Sequence, residues 1–160
     1  MIDIDTAEGA SFFVFGVLLN QGMPAHRVWR IPEQLAERLG GSELDRFTVA
    51  ADVRAAMRTP PALHRFPASM AGHLTEAAEL IQDRWAGDAR RIWAPGCDAD
   101  GVLDALRALP GIGEHKALVG LAVLTHDYGV PVLRGSAPLH RYAHGCPGLS
   151  PAFPLLQEVP

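Results

Sequence analysis

The chemistry of this chain concentrates in Leu109-Pro110-Gly111-Ile112-Gly113 and the residues that follow, Glu114, His115 and Lys116. Pro110 blocks continuation of a preceding helix. Gly111 and Gly113 permit dihedrals and close backbone approach that side chains would forbid. A helix starting after Gly113 would present backbone amides at its first turn, which suits a phosphate. Such a hairpin can grip a nucleic-acid backbone without a basic surface. The plainer reading is an ordinary tight turn between two helices.

Groups suited to proton transfer lie nearby. His115 has an ordinary pKa of about 6.5, well placed for acid–base work at neutral pH. Asp127 and Glu114 are the acidic candidates. Glu114 at a helix start is more simply explained by attraction to the helix dipole, so His115 and Asp127 rank above it. The basic set holds thirteen arginines and a single lysine. Any amine side-chain nucleophile in this chain is therefore Lys116.

A metal reading attaches to His115, His126, His140 and His144, with Cys146 close by. His140 and His144 would share one face of a helix, yet two ligands do not make a site, and no bound metal or other cofactor is expected. No further phosphate loop, nucleophile elbow or His-Glu-x-x-His stands in the sequence. Trp29, Trp85 and Trp93 fall at apolar helical positions and are expected in the core.

The elements that must position these groups read as helices. Phe12, Phe13, Phe15, Val17, Leu18 and Leu19 form an apolar segment too long for an ordinary strand. Pro24 opens a helix predicted to run to about Leu39, with Val28, Ile31, Leu35 and Leu39 on its buried face and Gly40-Gly41 ending it. A short helix is predicted over 50–57 and a long one over 68–85. One or two further helical turns fall at 88–93. Asp98 or Asp100 caps the helix before the hairpin, and the helix after it runs from about Glu114 to Tyr128. Beyond Gly129 the Pro- and Gly-rich texture predicts an irregular segment. The expected core includes Phe12, Phe15, Leu18, Val28, Leu35, Leu74, Ala78, Ile81, Leu103, Leu106, Ile112, Leu121 and Leu124. The expected fold class is all-α, a helical bundle containing the hairpin, with one domain over 1–145 and a tail over 146–160.

With 160 residues and 48% apolar content, the chain suits one domain with a normal core. A net charge of −4 does not advertise nucleic-acid binding in bulk, although it says nothing about local faces. No apolar run reaches membrane-spanning length, and no basic segment precedes an apolar stretch at the N-terminus. A cytoplasmic protein without membrane association is expected. Cys97 and Cys146 are too few for a disulfide framework or a four-cysteine cluster.

Residues 109–117, Leu-Pro-Gly-Ile-Gly-Glu-His-Lys-Ala, resemble the helix-hairpin-helix element of the endonuclease III type DNA glycosylase superfamily (HhH-GPD). Phe12–Gln21, ending Leu-Leu-Asn-Gln, resembles the early helix of that family. The stretch 55–93, with Pro61-Ala62-Leu63-His64-Arg65-Phe66-Pro67 and Met70-Ala71, is similar to a bacterial branch of the superfamily. The resemblance covers about residues 10–145. It implies a helical bundle around the hairpin, a DNA-binding face and a pocket for an everted base, since a base must leave the stack before its glycosidic bond is reachable. Gln21 takes the position of a residue inserted into the duplex; a helix-terminal amide making a local hydrogen bond is its plainer role. The implied contacts to double-stranded DNA are Gln21, Gly111, Ile112, Gly113, Glu114 and Lys116.

The chain departs from the family at its catalytic positions. Where bifunctional members carry their lysine, this sequence has His115, and Lys116 follows one step later, rotated by about 100° around the helix. Ser136 stands at the family-aspartate position, and a hydroxyl cannot supply negative charge to a cationic sugar. The cluster-binding cysteines are missing. Two functions are therefore expected. One is a DNA-binding protein of the base-excision-repair type, with water as the attacking group if it acts as an N-glycosylase. The other is a family scaffold turned to small-molecule chemistry or to non-catalytic binding. Self-association is left open.

Overall fold

A computed structural model describes residues 1–135 of the chain. These residues form seven α-helices and two 3-10 turns, with no β-strand among them, so the all-α expectation holds. They divide into two compact units. The first comprises Met1–Arg90 with Leu109–Gly111; the second comprises Arg91–Ala108 with the chain from Ile112 onward.

The first unit is organised on α1, Ala7–Leu19. Thr6 caps it, its hydroxyl accepting the Gly9 N–H at 3.0 Å. Every residue from Gly9 to Leu19 is buried. A helix apolar on all sides belongs in a core, which explains why no amphipathic stripe marks this segment. Gly16 has a packing role: a Cβ there would stand 2.3 Å from the Trp29 ring, which stacks on Phe13 with centroids 5.6 Å apart. Trp29 thus packs as expected, though it is only partly buried.

The single helix predicted from Pro24 to Leu39 is two helices, α2 (Ala25–Val28) and α3 (Ile31–Leu39). Pro32 is the cause. It has no N–H to bond back to Val28, and its ring would clash with that carbonyl, so it sits instead in the first turn of α3. Gly40 closes α3 in the left-handed conformation. A 3-10 turn at Leu44–Thr48, not foreseen from the sequence, places Phe47 against Phe12 and Phe15 at centroid distances of 5.9 and 5.1 Å. Two further helices, α4 (Ala50–Arg58) and α5 (Pro67–Trp85), complete the unit, with α5 packing on α1 and α4. Arg38 stitches α3 to the chain after α4: its guanidinium donates to the carbonyls of Ala56, Thr59 and Pro61 at 2.7–2.9 Å.

In the second unit, α6 (Ala99–Arg107) packs against α7 (Glu114–His126). Of the two candidate caps of α6, Asp98 is the one used, accepting the Gly101 N–H at 2.7 Å. The 3-10 turn Ala89–Trp93 stands where extra helical turns were expected. After α7 the chain returns to the start of α6. Leu133 donates to the Cys97 carbonyl at 2.9 Å and accepts from Ala99 at 2.8 Å, an isolated parallel bridge. All thirteen expected core residues are buried. The tail placed at 146–160 lies outside the described residues.

Candidate nucleic-acid interface

The hairpin is built by different means at its two glycines. Gly111 has φ 75°, a conformation that favours glycine, and a Cβ there would stand 2.9 Å from the His73 ring. Gly113 is extended (φ −89°, ψ −172°) and has no heavy atom within 4 Å of where a Cβ would lie. Gly111 is thus required by the fold, while Gly113 simply keeps space open. Gly111→Ala is expected to lower the unfolding free energy by about 1–2 kcal/mol, and Gly113→Ala by no more than about 0.5 kcal/mol. Urea unfolding of the two variants checks this contrast.

Gly113 is also the N-cap of α7, and no side chain caps that helix. Gly113 and Glu114 lead the helix at positions where the N–H groups have no intrahelical acceptor. Arg107, at the end of α6, braces the same turn. It pairs with Asp104 on its own helix and with Glu114 at 2.5 Å on the first turn of α7. The Glu114 carboxylate is therefore engaged by an arginine, in addition to any dipole benefit. The cation near the turn is likewise neutralised, so what the hairpin offers a phosphate is backbone donors more than charge.

Structure separates the proposed catalytic residues. His115 occupies the second position of α7 and is exposed; Lys116 follows and is half-buried, as the rotation between adjacent helical positions requires. Asp127 is at the opposite end of α7, roughly 18 Å along the axis from His115, and pairs with His126 at 2.7 Å, both side chains being exposed. His115 and Asp127 therefore do not meet as an acid–base pair.

Burial pushes the Lys116 ammonium below the ordinary lysine range. A lysine with a lowered folded-state pKa binds fewer protons than the unfolded chain between its folded and unfolded values. Its contribution thus becomes more favourable as pH rises across that window and is lost as pH falls through the folded value. Relative to Lys116→Arg, which stays charged throughout, the wild type is expected to gain stability as pH rises toward the ordinary lysine value of about 10.5. Urea midpoints of the two proteins across that rise check the sign.

Gln21 lies in the first unit, exposed on the bend after α1. Sequence reasoning missed the residue that holds this bend. His64 is buried, and its Nδ1 accepts the Phe66 N–H at 2.9 Å; its Nε2 therefore carries the ring proton and donates to the Leu19 carbonyl, also at 2.9 Å. Next to it the Arg65 guanidinium lies 5.5 Å from the centroid of Phe66, an aromatic ring left 41% exposed. A Cβ on Gly22 would be 3.5 Å from that ring. The available signal was a histidine within the Pro61–Pro67 segment, a place where a polar ring needs a structural partner.

Cys97 is a free thiol whose pKa is pushed up by burial and by the adjacent Asp98 charge, so it is a poor nucleophile at neutral pH. Among the described residues no group of three or more His, Cys, Asp or Glu side chains is placed to hold a metal ion. None of the described helices is long and apolar enough to cross a membrane. Ser136, His140, His144 and Cys146 lie outside the described residues. No family model matches the chain, and neither curated proteins nor solved structures give a match.

Proposed function

We infer that this chain is a DNA-binding protein of the base-excision-repair type, holding duplex DNA through the hairpin that opens α7. The observation that carries this reading is the combination at Gly113: an N-cap without a side chain, with open space around it, leading two amides that lack intrahelical acceptors. Such amides bind a phosphate oxygen without regard to base sequence. The Glu114 carboxylate is held by Arg107, which draws it away from direct competition with that phosphate. The likeness of residues 109–117 to the helix-hairpin-helix element supports the same ligand, and Gln21 on its exposed bend suits insertion beside an everted base.

The test is titration of the full chain with a dumbbell duplex closed at both ends, over a series of salt concentrations. Sequence-tolerant binding that weakens with salt is expected. No binding at low salt would overturn the reading.

If the protein cleaves a glycosidic bond, water is the attacking group, with His115 as its base. The Lys116 amine is one helical step away from the family position. Borohydride trapping on damaged duplex separates the mechanisms: no adduct is expected, and an adduct that disappears in Lys116→Ala would replace water with the amine. A second reading, duplex binding without cleavage, is favoured by the separation of His115 from Asp127 along α7. Duplex binding with no base release from any damaged substrate would establish it.

A further inference from the structure

A half-open pocket of about 320 Å³ lies in the first unit, and none of its lining residues belongs to the hairpin. One wall runs from Arg30, the N-cap of α3, through Gln34 and Glu37 to Arg38 on that helix, and Arg27 of α2 lines the same space. Arg38 builds the site: its three hydrogen bonds to the carbonyls of Ala56, Thr59 and Pro61 hold the opposite wall in place. Arg27 and Arg30 do something else. Neither guanidinium has a hydrogen-bond or ion-pair partner among the described residues, although both line the pocket. Glu37 is the one carboxylate there. Three guanidinium groups against one carboxylate leave a double positive charge, matched by a dianion. The planar guanidinium fork of arginine pairs two oxygens of a phosphate at once.

The remaining wall is apolar and includes Met23 and Leu63. A thioether makes favourable contacts with aromatic rings. The volume is at the lower end of small-molecule sites. We propose that this pocket binds the phosphomonoester of a nucleotide, with Arg27 and Arg30 on the phosphate and the base against Met23 and Leu63. The ligand is either a free nucleotide or the phosphorylated end of a strand. The proposal does not rest on the hairpin.

Calorimetric titration of the full chain tests it with adenosine 5′-monophosphate, a 5′-phosphorylated single-stranded oligonucleotide and the same oligonucleotide without its phosphate. Phosphate-dependent binding is expected. Arg27→Gln and Arg30→Gln should each weaken it about tenfold, and Glu37→Gln should tighten it a few-fold. All three side chains are exposed, so the variants should fold, which circular dichroism verifies. Binding of the mononucleotide alone assigns the site to free nucleotides, and binding of the strand alone assigns it to strand ends; either supports the proposal. Failure of both phosphorylated probes to bind at millimolar concentration overturns it. So does binding that ignores the phosphate or survives the double arginine variant. A closed dumbbell presents no terminal phosphate, so its binding reports on the hairpin alone and the two ideas fail separately.

Discussion

His64→Ala is expected to lower the unfolding free energy by about 3 kcal/mol, roughly 6–12 °C in Tm for a chain of this length. Two hydrogen bonds are lost at once, and the Phe66 N–H and the Leu19 carbonyl each lose an interior partner. The missing ring also leaves a cavity beside α1, because His64 is only 3% exposed. His64→Asn keeps an acceptor near the place of Nδ1, and should recover about 1 kcal/mol through the Phe66 bond. Thermal unfolding of the three proteins provides the comparison. A His64→Ala variant within about 0.5 kcal/mol of wild type, the range of ordinary surface changes, would show that the ring is not the tether between α1 and the 64–66 segment.

Gly113→Arg is expected to weaken duplex binding by on the order of a hundredfold while leaving the fold intact. The backbone at 113 is extended, and nothing lies within 4 Å of a Cβ placed there, so the side chain can be accommodated. Its bulk would stand over the amides of Gly113 and Glu114. Losing two amide–phosphate bonds, each worth about 1.5–3 kcal/mol when the acceptor is charged, costs about 3–6 kcal/mol, and the low end of that range, with part returned by the added positive charge, is a hundredfold. The substitution adds a positive charge. General electrostatic attraction would therefore tighten binding, whereas a blocked backbone grip weakens it. Fluorescence anisotropy with the closed duplex decides between the two signs.

The parts of the fold governed by local pattern were legible in the sequence. The run Phe12–Leu19 is an apolar segment too long for an ordinary strand, and it is the buried centre of the first unit. Spacing likewise located Leu74, Ala78 and Ile81 on α5, and the Pro110–Gly113 break between α6 and α7. Pro32 was overlooked as a boundary because Val28, Ile31 and Leu35 continue one apolar spacing across it. The resulting pair of helices keeps those residues buried despite the interruption.

What depended on contacts distant in sequence was not legible. Nothing local connects His64 to Leu19, 45 residues away, or Phe47 to Phe15. The engagement of Glu114 by Arg107 becomes apparent only once α6 and α7 are packed. His115 and Asp127 rank together as candidate proton-transfer groups in the sequence, but twelve residues of helix put them at opposite ends of α7. The two glycines of the hairpin looked equivalent, and only the dihedrals and His73 distinguish them.

The most direct measurement of the hairpin's role is an amide-resolved NMR titration of the full chain with the closed duplex. The backbone amides of Ile112, Gly113 and Glu114 are expected to shift first and furthest, with the size of the change falling as salt is raised. Duplex-dependent shifts confined to other residues, with these three amides unmoved, would contradict a DNA grip at the start of α7.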